Sequence, residues 1–162
     1  MKPGDHPEFF RFAPPPGTSR ESTLRLDGQG RFWHDGELVE PRALEKALHR
    51  WISRHPDDGR AILTNTYDWC YFEVESTPYF VRSVVGDAAP EVVLSDESTE
   101  LLDPASLRTD PDGALVARVK RGAFDARFTP SAQLELGRWL ADDDPPRLAV
   151  RGVDYEIASA SQ

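Results

Sequence analysis

The chain carries one short pattern twice, and a repeat constrains architecture before any motif is read. Leu24-Arg25-Leu26-Asp27-Gly28-Gln29-Gly30 recurs loosely as Leu107-Arg108-Thr109-Asp110-Pro111-Asp112-Gly113. Downstream, Arg50-Trp51-Ile52 is echoed by Arg138-Trp139-Leu140, and Arg60-Ala61-Ile62-Leu63 by Arg147-Leu148-Ala149-Val150. The repeat predicts two small α+β units, each reading hairpin, helix, hairpin, with mostly antiparallel sheets packed on one helix. It puts the natural place for a site at the seam between them.

Residues 1–22 read as an irregular N-terminal arm, because Pro14-Pro15-Pro16-Gly17 stops any helix. Phe9, Phe10 and Phe12 stand out inside it, and three aromatics are costly to leave in water. They are expected to dock on the domain or on a partner. The first unit spans 23–86. Asp35-Gly36 is a two-residue hairpin signal, since both central residues of a type I′ turn need positive φ. A helix is expected over 41–54, with Leu44, Ala47, Leu48, Trp51 and Ile52 at three- and four-residue spacings. Strands follow at 60–64, 67–75 and 79–85. Residues 87–106 read as a linker with a short strand at 91–94 and an acidic loop at 96–104. The second unit spans 107–158, with strands at 114–119 and 123–128. Its helix is expected over 130–141, capped by Thr129 with Pro130 in the first turn. A hairpin turns around Arg151-Gly152, and residues 158–162 form a polar tail.

At 162 residues with 39% apolar content, the chain has enough for a modest core. A net charge of −9 and only three lysines disfavour nucleic acid and anionic membranes as partners, because both require a basic face. The start, Met1 to His6, has neither the charge nor the apolar run of a signal peptide, and no stretch approaches the roughly 20 apolar residues of a membrane span. One cysteine, Cys70, forms no intrachain disulfide, so a cytoplasmic location is the expectation.

The stretch from Leu26 to Val39, including Asp27-Gly28-Gln29-Gly30-Arg31-Phe32-Trp33 and Gly36, resembles the Asp-x-x-Gly-x-Trp-x-x-x-Gly opening of the bacterial DUF1285 family. Phe72-Glu73-Val74-Glu75-Ser76-Thr77-Pro78-Tyr79-Phe80-Val81 is similar to its Ile-Glu-Val-Glu-Asp-Ala-Pro-Phe-Val segment, and Leu148 to Ile157 to its closing strand pair. The resemblance covers about 130 residues, from Thr23 to Ile157. It implies two α+β units with repeated motifs and a signalling or ligand-sensing role without an established activity. This chain departs from the family at Asn65-Thr66-Tyr67-Asp68-Trp69, where the family has Pro-Val-Glu-Lys. A function resting on that Glu-Lys pair does not carry over.

Residues able to do chemistry are few. His34, His49 and His55 lack metal-ligand spacing with cysteine or carboxylates, and His49 and His55 are expected to be solvated. In Asp110-Pro111-Asp112-Gly113 the twelfth position of a calcium loop would be Arg121 rather than Glu, so a turn is expected. Asp57-Asp58 and Asp142-Asp143-Asp144 read as solvated helix ends. The suggestive group is Trp33, His34, Tyr67, Asp68, Trp69 and Tyr71. Strand alternation puts Tyr67, Trp69 and Tyr71 on one face, and Asp68, Cys70 and Phe72 on the other. Aromatics with polar tips suit a small-molecule pocket.

No catalytic residue and no cofactor is indicated. The leading expectation is a non-enzymatic bacterial module binding an unidentified small molecule or protein. The alternatives are an enzyme using His34 with Asp68 as an acid–base pair, and a subunit that self-associates into a homo-oligomer through its aromatics.

Overall fold

Asp27 organises the first turn of the chain. Its carboxylate accepts hydrogen bonds from the backbone N–H groups of Gln29 at 2.8 Å and Arg31 at 2.9 Å, from Arg31 Nε at 3.1 Å and from Trp33 Nε1 at 2.8 Å. Gly30 completes the turn at φ +82°, where a side chain would be strained. Asp110 does the same work later. It accepts from the N–H groups of Asp112 and Ala114, both at 2.9 Å, and Gly113 takes φ +83°. The calcium-like stretch is therefore a carboxylate-tied turn.

The computed structural model describes residues 1–141, 143 and 145–159. It has two units, Met1–Pro78 and Tyr79–Gln162. In the first, Arg25–Leu26 (β1), Phe32–His34 (β2) and Glu37–Leu38 (β3) form an antiparallel meander around the Asp27 turn and the Asp35-Gly36 turn. Asp35 and Gly36 both have positive φ, +52° and +80°. The helix Arg42–Arg50 (α1) leads into Ile52–Arg54 (β4), Ala61–Thr64 (β5) and Trp69–Tyr71 (β6), which make a three-stranded sheet. Glu73–Val74 (β7) then returns parallel to β1, giving the order β3-β2-β1-β7.

The second unit begins with Tyr79–Val85 (β8), Glu91–Leu94 (β9) and Thr99–Leu101 (β10). Arg108–Thr109 (β11), Leu115–Val119 (β12) and Phe124–Phe128 (β13) follow as a meander. The helix Pro130–Leu136 (α2) comes next, then Leu140–Ala141 (β14), Arg147–Val150 (β15), Val153–Glu156 (β16) and Ala158–Ser159 (β17). The seven-stranded sheet has the order β10-β9-β8-β13-β12-β11-β17, with β17 parallel to β11; β14, β15 and β16 form a separate sheet. Within this unit the order β13-β12-β11-β17 has the same form as β3-β2-β1-β7 in the first. The class is α+β, with mostly antiparallel sheets. Thr129 caps α2, its hydroxyl accepting from Ala132 N at 3.2 Å.

Several expectations differ from the structure. The strand at 79–85 belongs with the second unit, because it pairs with β9 and β13. Residues 87–106 are not a plain linker: Val92 and Leu94 are buried in β9, and the acidic stretch contains β10. The first helix stops at Arg50 rather than Arg54, because Ile52 pairs with Leu63 in a strand ladder. The second ends at Leu136, with a 3₁₀ turn over Gly137–Trp139 and then β14. The 67–75 strand is two short strands, β6 and β7. In the tail, Ala158 and Ser159 pair with β11. Asp142, Asp144 and residues 160–162 lie outside the described residues, while Asp143 pairs with Arg147. No helix among the described residues is long and apolar enough to cross a membrane.

The buried Asp27 generates a prediction. Burial works to raise its carboxyl, but the bonds from Trp33, Arg31 and Gln29 outweigh this and hold it below the usual carboxylate range. A depressed folded value stabilises above the unfolded value of about 3.9, and that contribution is lost as pH falls through the folded value. Asp27→Asn is expected to cost about 1–3 kcal/mol near pH 7. Urea titrations at pH 7 and pH 3 should show the gap from the wild type shrinking in acid.

Candidate functional site

The sheet β4-β5-β6 has two faces to cover. Ile62 stands opposite Tyr71, and Leu63 opposite Cys70, so neighbouring residues of β5 and β6 point to opposite sides. On the Ile62 side the N-terminal arm closes the sheet. Phe9, only 5% exposed, packs with Ile62 and Trp69, and Phe10 and Tyr71 pack on that cluster. Trp69 meets Phe10 at 6.0 Å, His55 at 5.0 Å and Tyr71 at 5.1 Å between ring centroids. The arm's aromatics thus dock on their own chain, with Phe12 left half exposed.

Polar contacts latch this face. His55 Nδ1 accepts the N–H of Asp57 at 3.1 Å, which makes Nε2 the protonated nitrogen, and Nε2 donates to the Phe10 carbonyl at 3.0 Å. Arg11 grips Asp57 with Nε at 3.0 Å and an NH2 group at 2.7 Å. Tyr71 donates to Asp58 at 2.6 Å; that bond, aided by the Arg60 N–H, holds the Asp58 carboxyl below its usual range and pushes the Tyr71 phenol up. His55 is buried, not solvated as expected, because the arm and Trp69 cover it. His49 is buried too, at 1% exposure, with its ring 4.8 Å from that of Phe32.

The opposite side of the sheet is open. A cavity of about 170 Å³ lies there, with Leu48 and Trp51 from the end of α1 and Leu63 from β5 as apolar walls. Leu24, Cys70 and the edge of Trp69 complete the lining, and Asn65 and Asp68 form its polar part. Asn65 Oδ1 accepts the N–H groups of Tyr67 and Asp68, each at 2.9 Å. Asp68 Oδ1 takes the Trp69 N–H at 2.9 Å and a guanidinium nitrogen of Arg20, whose Cζ lies 4.5 Å from the Trp69 ring centroid. Burial pushes the Cys70 thiol up, so it is mostly protonated near neutrality.

The six residues singled out from the sequence thus go to different places. Asp68 and Trp69 line the cavity. Tyr71 lies on the arm-covered face, and Tyr67 precedes β6 as an exposed turn residue, 63% exposed. Trp33 and His34 belong to the other sheet: Trp33 is tied to Asp27 and flanked by Arg25 and Arg31, and exposed His34 faces Asp35 at 3.6 Å. The His34–Asp68 acid–base pair is not assembled, since Asp68 is engaged by Arg20 and His34 lies beside Asp35. Reading the aromatic face as the pocket missed Leu24, Leu48, Trp51, Leu63 and Asn65. The available signal was the other half of the β6 alternation, Asp68 and Cys70, next to the apolar stripe of α1. No group of three His, Cys, Asp or Glu side chains among the described residues is arranged to hold a metal.

The fold defines a two-unit α+β protein built on short meanders. Its architecture is that of two solved structures. A DUF1285 family protein from Silicibacter pomeroyi DSS-3 matches 85% of this chain and 80% of its own, with TM-score 0.67 and 13% identity. A DUF1285 family protein from Shewanella baltica OS155 matches 74% of this chain and 94% of its own, with TM-score 0.58 and 14% identity. At these identities the likeness is one of fold. No family model and no curated protein matches the sequence.

Docking of the arm is measurable. Phe9→Ala removes a buried ring and is expected to lower stability by about 3 kcal/mol. Water then reaches Trp69, so the native fluorescence should shift to the red. An unchanged spectrum together with unchanged stability would show that the arm does not hold this face.

Proposed function

We propose that this chain is a divergent DUF1285-type protein acting as a non-enzymatic binding module, with a small ligand held in the cavity beside β6. The observation that carries the reading is the cavity itself. It is apolar over most of its wall and polar at one edge, as small-molecule sites commonly are, and it forms where α1 meets the sheet. The shared fold supports the family assignment. A sensing role in the bacterial cytoplasm is part of the proposal; the single cysteine favours that compartment. Self-association through Phe9 and Phe10 is disfavoured, because both rings already pack on their own chain.

We also propose that the two meander–helix–sheet segments arose by duplication. The matching strand orders β3-β2-β1-β7 and β13-β12-β11-β17 support this, as do the two carboxylate-tied turns at Asp27 and Asp110.

A ligand of the native state raises the melting temperature. The test is a thermal-shift screen of small neutral, anionic and cationic metabolites, read alongside the rate of Cys70 alkylation by iodoacetamide at pH 8.5. True occupants should raise the melting temperature and slow alkylation together. Cys70→Leu, which fills the cavity from inside, should abolish the thermal shift while leaving the far-UV circular dichroism unchanged. Shifts that persist in Cys70→Leu would place binding elsewhere and sink the proposal.

A further inference from the structure

Resting on that cavity reading, we infer that the ligand is a neutral aromatic ring carrying a primary amide or a ring lactam, bound with its donor–acceptor edge on Asn65 and Asp68. Size comes first. An apolar protein cavity of about 150 Å³ accommodates one benzene molecule, so about 170 Å³ takes a single ring and a small substituent. The walls suit an aromatic body, since Trp51 offers ring surface and Leu24, Leu48 and Leu63 fill around it.

The polar edge comes from one loop. The Oδ1 atom of Asn65 is committed to two backbone N–H groups, at 2.9 Å each, which fixes the orientation of its amide. Among the described residues its Nδ2 hydrogens have no acceptor. The Oδ1 atom of Asp68 is engaged by Arg20 and by the Trp69 N–H, and Oδ2 is the acceptor left. The edge therefore presents one donor and one acceptor, both on side chains already held by backbone bonds. An amide presents the complement, C=O toward Asn65 and N–H toward Asp68. This is an economical use of fixed groups, because their orientation is not bought at binding.

Charge selects the neutral form. Arg20 compensates Asp68, so the edge has no net charge to offer an ion. A carboxylate ligand would face Asp68 Oδ2 inside a chain of net charge −9. An ammonium ligand would gain little from Asp68, which is 64% exposed and already paired with Arg20.

The test uses the full chain and four probes sharing one ring: benzamide, toluene, benzylamine and benzoate. Each is titrated by calorimetry and scored for protection of Cys70 from alkylation. Benzamide is expected to bind about five- to tenfold more tightly than toluene, the value of one well-placed hydrogen bond, with benzylamine and benzoate weaker. Asn65→Asp keeps an oxygen for the two loop N–H groups but replaces the Nδ2 donor. It should bring benzamide down to the level of toluene and leave toluene unchanged. If toluene binds and protects Cys70 but benzamide does no better, or if Asn65→Asp leaves benzamide unaffected, the amide edge is wrong and the cavity reading stands. If none of the four binds or protects Cys70, the cavity reading fails as well.

Discussion

A three-stranded sheet with apolar residues on both faces cannot be covered by one short helix. In β5, Ile62 and Leu63 are adjacent and both buried, so each side of β4-β5-β6 needs its own lid. Helix α1 can serve only one side. The other falls to the N-terminal arm, whose Phe9 and Phe10 seal Ile62 and Trp69. The arm is not an appendage: without it, Trp69 and His55 would meet water. Its rings fill the face beside Ile62, and the cavity walled by Leu63 and Cys70 lies on the other side. The location of the cavity thus follows from how two lids were divided between two faces.

The sequence displayed much of this fold through its turns. Asp27-x-x-Gly30 and Asp110-x-x-Gly113 are local devices, in which a short carboxylate reaches backbone N–H groups two and four residues on and a glycine takes the left-handed conformation. Asp35-Gly36 and Arg151-Gly152 likewise need only their own φ angles. Such signals survive translation into structure because nothing distant has to agree with them. Thr129 and Pro130 marked the start of α2 for the same reason.

The sequence was less legible where tertiary pairing decides. Trp51 and Ile52 continue the helical period of α1, yet Ile52 is drawn into β4 by the ladder with Leu63, a partner eleven residues away. Residues 96–104 look acidic and loop-like, but Thr99–Leu101 pairs with β9. His49 and His55 looked solvated because their own neighbours are polar. Their burial depends on Phe32 and on the arm, which no local window contains. The candidate site suffered in the same way: alternation in β6 correctly separated Trp69 and Tyr71 from Cys70, but not which face the arm would take.

The early end of α1 also shapes the cavity. Had the helix run on to Arg54, Ile52 would have stayed on its apolar face and filled the space beside Leu48. Strand pairing instead removes Ile52 to the sheet, and Trp51, whose N–H closes the helix on the carbonyls of Ala47 and Leu48, stands half-buried at the junction. The polar edge arises from the loop between β5 and β6, where Asn65 spends its oxygen on the turn and keeps its nitrogen. The space and the polar edge are therefore both by-products of chain reversal, which explains why they carry no motif and why a search for catalytic spacings passes over them.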